Sequence, residues 1–398
     1  MTEPTPAVDQ LGREPAGGRL AFGDDRTFDF LVAFGKHLRS LGLIRQYPQL
    51  GTLALFLRQG ALRRVVEAVA APAGALRFPR GVIFHVPPSN VDTVLVYVWA
   101  LAALAGNHNV VRIPSRTTRL TDILIGALNE TLRSAHPAIA QTQWMVAYGR
   151  DEATTTALSA TCDLRVLWGG DDSVGVLRRF PLSPSARDLT FPDRSSFAVI
   201  SAAAWLGASQ TVRRTVAEGL CNDVYWFDQA ACASPRAVFW VGPNAVVDQA
   251  QPSFVSELES VVATRNPAVD TSMVLQKYVA VCGLAADGRA QSIRFSSNAI
   301  TQVDLTGPSS IPRHWLGAGT FVWSRIDRLT ELADIVERRD QTITQFGFSA
   351  DQLEELARSC AGCGIDRIVP IGRALDFSPV WDGYELLHEF TRLTTISV

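Results

Sequence analysis

A chain of 398 residues is long enough for two or three domains, each with a sizeable core. Apolar residues make up 47% and charged residues 19%, an ordinary globular mixture that excludes disordered and fibrous classes. With 37 basic against 39 acidic residues the net charge is -2, which gives no broad electrostatic case for nucleic acid or an anionic membrane.

Six cysteines, at 162, 221, 232, 282, 360 and 363, follow no framework spacing, which suits a reducing, cytoplasmic setting. Residues 1–24 read as a flexible tail, because Pro, Gly and charge dominate; no signal peptide is expected there. Phe28 to Leu43 and Leu50 to Ala70 show helical spacing, punctuated by Pro48 and Pro72. Arg80 to Val86 begins a strand-then-turn unit ending in Pro87-Pro88-Ser89-Asn90. The apolar run Val94 to Ala105 is shorter than the roughly 20 residues of a membrane span and reads as a buried helix. Gly106-Asn107 turns into a strand through Arg112 and Ile113, then Pro114-Ser115-Arg116. A helix from Thr117 to Leu132, a strand from Trp144 to Ala147 and a strand from Cys162 to Trp168, closed by Gly169-Gly170, complete the alternation. Such alternation predicts a parallel sheet covered on both faces, with ligands at the carboxyl ends of its strands. Asn90, Ser115, Arg116, Gly169 and Gly170 all fall there. No Gly-x-Gly-x-x-Gly follows the first strand.

From Ser195 to Ala204 a strand leads into a helix, Thr211 to Asn222. Then comes Asp228-Gln229-Ala230-Ala231-Cys232-Ala233-Ser234-Pro235-Arg236 and a buried strand, Ala237 to Val241. Cys232 therefore lies on a short helix-to-strand connection, where a rigid scaffold can hold a reactive side chain at a cleft. The plain alternative is a small buried hydrophobe. A helix through Phe254 and Leu258 follows, then a less readable stretch to Trp315, a strand Thr320 to Trp323, a helix Asp327 to Val336, and a capping box at Ser349 and Gln352. Cys360 and Cys363 lack a second pair at zinc spacing, so no metal is expected. His85 reads as a core histidine that can also line the cleft.

The Cys232 run resembles the nucleophile loop of the aldehyde dehydrogenase superfamily, where Gln, Cys and Arg recur in that order. The chain is more closely similar to the acyl-thioester reductase branch, the fatty-acyl-CoA reductases of bacterial bioluminescence. The resemblance covers roughly 80–398, through Pro87 to Asn90, Gly106-Asn107, Ile113 to Arg116, Leu167 to Gly170 and the run Asp366 to Gly383. It implies an α/β fold with an atypical Rossmann cofactor domain and an α/β catalytic domain. We expect the helical layer and cofactor domain over 25–214, the catalytic domain over 215–375, and a C-terminal segment, 376–398, at an interface or returning to the cofactor domain. It also implies Cys232 as nucleophile, with the Asn90 amide and the Cys232 N–H as oxyanion donors. Without it, Asn90 reads as a turn residue. Pro88, Arg112, Ser115, Arg116, Gly169 and Gly170 become the cofactor-binding set.

Two departures refine the expectation. The family's water-activating Glu aligns with Thr190, a poor general base near neutral pH, though Asp188 and Asp193 are close in sequence. The Glu that receives ribose hydroxyls aligns with Arg116, which pairs with phosphate, so NADPH is expected, with Arg112 helping and NADH as second choice; a solvated loop arginine is the alternative. The expected activity is NADPH-dependent reduction of an acyl thioester to an aldehyde through an S-acyl-cysteine. The donor would be acyl-CoA, an acyl carrier protein, or an acyl-protein synthetase partner. Oxidation of an aldehyde to an acid or acyl-CoA, and a non-redox acyl-relay subunit, are the rivals. No nucleic-acid or membrane-spanning role is expected, and a homo-oligomer, dimer or tetramer, is.

Overall fold

The run Val82-Ile83-Phe84-His85-Val86 is buried from end to end, as a strand covered on both faces must be. In the computed structural model, which describes residues 10–88, 91–114, 117–267 and 269–397, it forms the middle of a parallel sheet. Backbone proximity divides the chain into two units, Met1–Asp193 with Phe377–Val398, and Arg194–Asp376.

The first unit opens with helices α1 (Asp25–Ser40), α2 (Pro48–Phe56) and α3 (Gln59–Glu67). Strands β1 (Ala75–Pro79) and β2 (Val82–Val86) lead to α4 (Asp92–Leu104), then β3 (His108–Ile113), α5 (Arg119–Arg133) and α6 (Pro137–Ala140). After these come β4 (Gln143–Ala147), α7 (Glu152–Thr161), β5 (Leu164–Trp168), α8 (Asp171–Leu177) and β6 (Arg187–Phe191). The sheet order is β4-β3-β2-β5-β6, all parallel. Helix α4 is buried over Thr93 to Leu104, so it is apolar all round. The polar groups beneath it are paired: Trp99 Nε1 donates to Gln143 Oε1 (2.8 Å), Asn109 Nδ2 donates to the same oxygen (2.9 Å), and His85 Nε2 meets Asn109 Oδ1 (2.9 Å). Burial pulls His85 down to about 4, so it is a neutral core residue.

Three expectations are corrected here. Residues 10–24 are packed rather than a loose tail: Leu11 and Leu20 are buried, and the Arg26 guanidinium donates to the Gly17 and Arg19 carbonyls. The helix expected over Leu50 to Ala70 breaks at Leu57 and Arg58, because buried Leu57 seats against Gly35 of α1, where a Cβ would come within 2.8 Å of it. The third concerns residues 194–214, which belong to the second unit because β7 (Ser195–Ser201) lies inside its sheet.

The second unit continues with α9 (Ala202–Gly207), α10 (Gln210–Tyr225), β8 (Pro235–Val241), α11 (Asn244–Arg265) and α12 (Thr271–Ala286). Strands β9 (Ala290–Phe295), β10 (Thr301–Leu305), β11 (Thr320–Ile326) and β12 (Asp340–Phe346) precede α13 (Ala350–Ser359) and β13 (Arg367–Pro370). The sheet order is β13-β12-β7-β8-β11-β10-β9, with only β9 antiparallel to its neighbour among the described pairings. Phe254 of α11 packs edge-on among Trp205, Trp240 and Trp323 at 4.9, 5.6 and 6.0 Å. The helix expected over Asp327 to Val336 is a 3₁₀ turn, Leu329–Asp334, in which Leu329 and Leu332 bury one face. A spacing of three aligns side chains in a 3₁₀ turn as well as in an α-helix. The Ser349–Gln352 capping box forms both of its hydrogen bonds.

The chain then returns to the first unit through β14 (Val380–Trp381), β15 (Tyr384–Glu385), α14 (Leu386–Glu389) and β16 (Thr391–Thr395). Strand β16 pairs antiparallel with β1, and Phe377 stacks on Tyr97 of α4 at 4.7 Å. Among the described residues, no helix is long and apolar enough to cross a membrane.

Candidate active site

Cys232 sits between a capped helix and a wholly buried strand. Ser209 caps α10, whose inward face buries Val216, Leu220 and Val224, and β8 is buried along its length. Between them the backbone turns sharply: Asp228 and Gln229 both adopt left-handed angles, at φ 51° and 58°. Ala231, Ala233 and Ser234 are buried, while Cys232 is half-buried. Small neighbours thus sink the loop and leave the thiol partly accessible.

Four side chains fasten this loop. The Ser196 hydroxyl, from β7, donates to the Cys232 carbonyl (2.7 Å) and accepts from the Thr342 N–H of β12 (3.1 Å). Gln229 Nε2 donates to the Pro235 and Thr320 carbonyls (2.8 and 3.0 Å). Trp315 Nε1 donates to the Asp228 carbonyl (2.8 Å), and the Arg236 guanidinium donates to the Arg313 carbonyl. Arg313 is itself held by the buried Asp340 carboxylate at 2.9 Å. Behind Thr320, buried Lys277 donates to the Asn298 and Ala318 carbonyls (2.7 and 3.0 Å), and its desolvation pulls the ammonium down to about 8.

The remaining thiols sit in different settings. Burial raises Cys162 and Cys221 to about 12 and Cys360 to about 11, which makes them inert packing residues. Cys363 lies just past α13, and Cys282 is exposed on α12. No disulfide or cluster of metal-ligating side chains occurs among the described residues.

In the first unit, Pro88 follows β2, Arg112 lies within β3, and Gly169 and Gly170 follow β5, at or near the carboxyl ends where ligands are expected. Asn90, Ser115 and Arg116 lie outside the described residues. A cavity of about 600 Å³ opens beyond β3 and β4, lined by Pro114, Asp122, Gly126, Asn129, Tyr148 and Gly149 among others. That is within the range of small-molecule and cofactor pockets. Arg112 Nη2 donates to the Gly149 carbonyl (2.9 Å), and its guanidinium lies over the Tyr148 ring at 4.8 Å. At Gly170 a Cβ would meet nothing within 4 Å, so the backbone opening α8 is open to approach.

Thr190 is on β6, in register with Leu167 of β5. Asp188, one of the two carboxylates near it in sequence, is taken: the buried Arg165 guanidinium grips it through Nε and Nη2 at 2.7 and 3.1 Å. Asp193 is exposed at the end of the first unit, with its N–H on the Asp171 carboxylate.

Residues 71–277, just over half of the chain, match the family model described as acyl-CoA reductase (LuxC). The chain belongs to the LuxC acyl-CoA reductase family. The matched stretch of this LuxC-family chain runs from β1 through the Cys232 loop to Lys277. The chain is 25% identical over 183 residues to the long-chain acyl-protein thioester reductase of Aliivibrio fischeri, an alignment covering 46% of this chain and 35% of that protein. The match thus spans about a third of that relative's length. Among solved structures, lactaldehyde dehydrogenase from Escherichia coli superposes with a TM-score of 0.66 at 13% identity, covering 94% of this chain and 86% of that one. Glyceraldehyde-3-phosphate dehydrogenase from Methanocaldococcus jannaschii, complexed with NADP, gives 0.66 at 11% identity over 94% and 89%. The fold of this LuxC-family member is that of the aldehyde dehydrogenases, as the sequence led us to expect.

Sequence reasoning placed Cys232, Gln229 and Arg236 in one loop but missed Ser196, Trp315, Thr320 and Lys277. Each belongs to a segment at least 36 residues from Cys232, and no local pattern marks it.

Proposed function

We propose that this chain reduces an acyl thioester to an aldehyde through an S-acyl Cys232, with NADPH as reductant. The observation that carries the reading is the Cys232 loop: a half-buried thiol on a backbone fastened by Ser196, Gln229, Trp315 and Arg236. A fixed loop lowers the cost of orienting a nucleophile against a bound carbonyl.

In this reading the Cys232 sulfur attacks the thioester carbonyl carbon. A new C–S bond forms, the donor's C–S bond breaks, and the departing thiolate takes a proton from solvent. The Cys232 N–H and the Asn90 amide donate to the oxygen that becomes charged. NADPH, when bound, would supply the hydride that reduces the acyl carbon. Cys232 leaves as thiolate when the aldehyde is released. The acyl group survives long enough because Thr190 is a weak base and Asp188 is committed to Arg165. Acyl-CoA and an acylated protein, carrier or synthetase, are the donors to test.

The cavity beyond β3 and β4 supports a nucleotide there, with Arg112 beside it and Arg116 as the expected phosphate partner. Asp122, on the wall, can accept from ribose hydroxyls, so NADH is the second cofactor to test. Substituting Arg116→Glu is expected to raise KM for NADPH about tenfold or more, since a charge-assisted pair is lost and a like charge gained. An unchanged KM would remove Arg116 from the site.

The activity assay uses acyl-CoA with NADPH, then aldehyde with NADP and no added thiol. Aldehyde formation in the first and negligible acid in the second are expected. Brisk acid formation in the second would contradict the missing-base argument.

A further inference from the structure

We propose that Gln229 is the positioning residue of the nucleophile loop, its side-chain amide clasping both ends so that Cys232 is presented in one geometry. The inference rests on the reading of Cys232 as nucleophile and assigns the part that sets its aim.

Gln229 stands three residues before Cys232, and Pro235, whose carbonyl it holds, stands three after. Gln229 is only 3% exposed and both ends of its amide are engaged: the two N–H groups go to the Pro235 and Thr320 carbonyls, and Oε1 accepts from the Thr320 N–H at 3.2 Å. Thr320 opens β11, so one side chain ties the loop to itself and to the sheet. Its anchor is itself hydrogen-bonded, with the Thr320 hydroxyl on the Gly317 carbonyl (2.9 Å) and Lys277 on the Ala318 carbonyl. The backbone at Gln229 is left-handed and follows a left-handed Asp228, a pairing that glycine or asparagine fills most readily. Such a conformation persists only where its surroundings over-determine it. The three amide bonds, with the Gln229 N–H on the Val224 carbonyl (2.7 Å), supply that constraint. A residue chosen merely to fill volume needs none of this donor pattern.

The donor pattern yields the test. Gln229→Met keeps bulk but no donor. Gln229→Glu keeps shape and the acceptor for the Thr320 N–H but, when ionised, sets a carboxylate oxygen against two carbonyls; once protonated it regains one donor. We would measure the iodoacetamide alkylation rate of Cys232 by peptide mass spectrometry, and aldehyde formation, from pH 5.5 to 8.5. At pH 8 both variants are expected to lose about 10- to 100-fold in kcat and to alkylate Cys232 more slowly, with KM for the acyl donor little changed. The Gln229→Glu rate relative to Gln229→Met should climb as pH falls, because burial among carbonyls raises a carboxyl above its ordinary value of about 4.3. A flat ratio, or wild-type alkylation in Gln229→Met, would overturn the proposal. If Gln229→Met does not fold, the same pH-dependent climb is read for Gln229→Glu against wild type. Should wild type make no aldehyde while the alkylation pattern holds, the reductase reading falls and the positioning role stands; normal turnover in both variants gives the reverse.

Discussion

Asp223 shows how one side chain joins distant segments. From α10 its carboxylate accepts the Gly372 and Ala374 N–H groups at 2.6 and 3.0 Å, fixing the turn after β13. Burial pushes it up to about 7 despite those two bonds, which favour the ionised form. The unfolded chain, with an ordinary carboxyl near 3.9, ionises first. The protonated group's stabilising contribution is therefore full below about pH 4 and is lost as pH rises through 7. Asp223→Asn presents one acceptor and an N–H where two acceptors are needed, and is expected to cost about 1–3 kcal/mol. Urea unfolding at pH 4.5, 6 and 7.5 should show that cost together with a shallower fall in stability over this range than in wild type; parallel curves would rule Asp223 out as the titrating group. The sequence makes Cys232 legible because small residues, Pro235 and a buried strand surround it locally. The partners that hold the loop are not legible, since Ser196 and Thr320 meet it only after β7, β8 and β11 have been laid side by side.

At the level of elements, periodicity finds β2, α4, α5 and β8, whose burial follows a single period or none. It fails for α12, where Leu275 and Val279 are exposed while Lys277 and Val281 are buried, so apolar residues mark no inward face. Strands β9 and β10 escape for a related reason: β9 is a largely exposed edge. Helix α11 is secured at Phe254 by its three tryptophan neighbours. Phe254→Ala is expected to cost about 3–5 kcal/mol, by lost burial and a cavity, and to alter tryptophan fluorescence. A loss under about 1 kcal/mol in chemical denaturation would show that the three rings close over the gap. Gly219 is needed for a tighter contact: a Cβ there would lie 3.0 Å from the Gly372 Cα, so α10 meets the turn after β13 backbone to backbone. That approach explains part of the glycine density in the C-terminal run.

For the whole molecule, alternating strands and helices made an α/β fold with parallel sheets readable, but not where one unit ends and the next begins. Whether residues 194–214 end one unit or begin the next depends on which sheet admits β7, and a strand's own residues do not record its neighbours. The last 22 residues return to the first unit, where β16 pairs with β1 and Arg80 donates to the Glu389 and Thr391 carbonyls. A chain ended after Asp376 is expected to lose hydrogen-exchange protection over Val82–Val86 while β8 keeps it; unchanged protection at both would contradict that dependence. The central claim is that Cys232 carries the acyl group, and one measurement tests it most directly. Mix the protein with acyl-CoA without cofactor, locate the acyl mass by peptide mass spectrometry, then add NADPH and follow aldehyde, in wild type and Cys232→Ala. We predict acyl mass on the Cys232 peptide, discharged as aldehyde when NADPH is added, and neither in the variant. Aldehyde formed at an undiminished rate by Cys232→Ala would contradict the account.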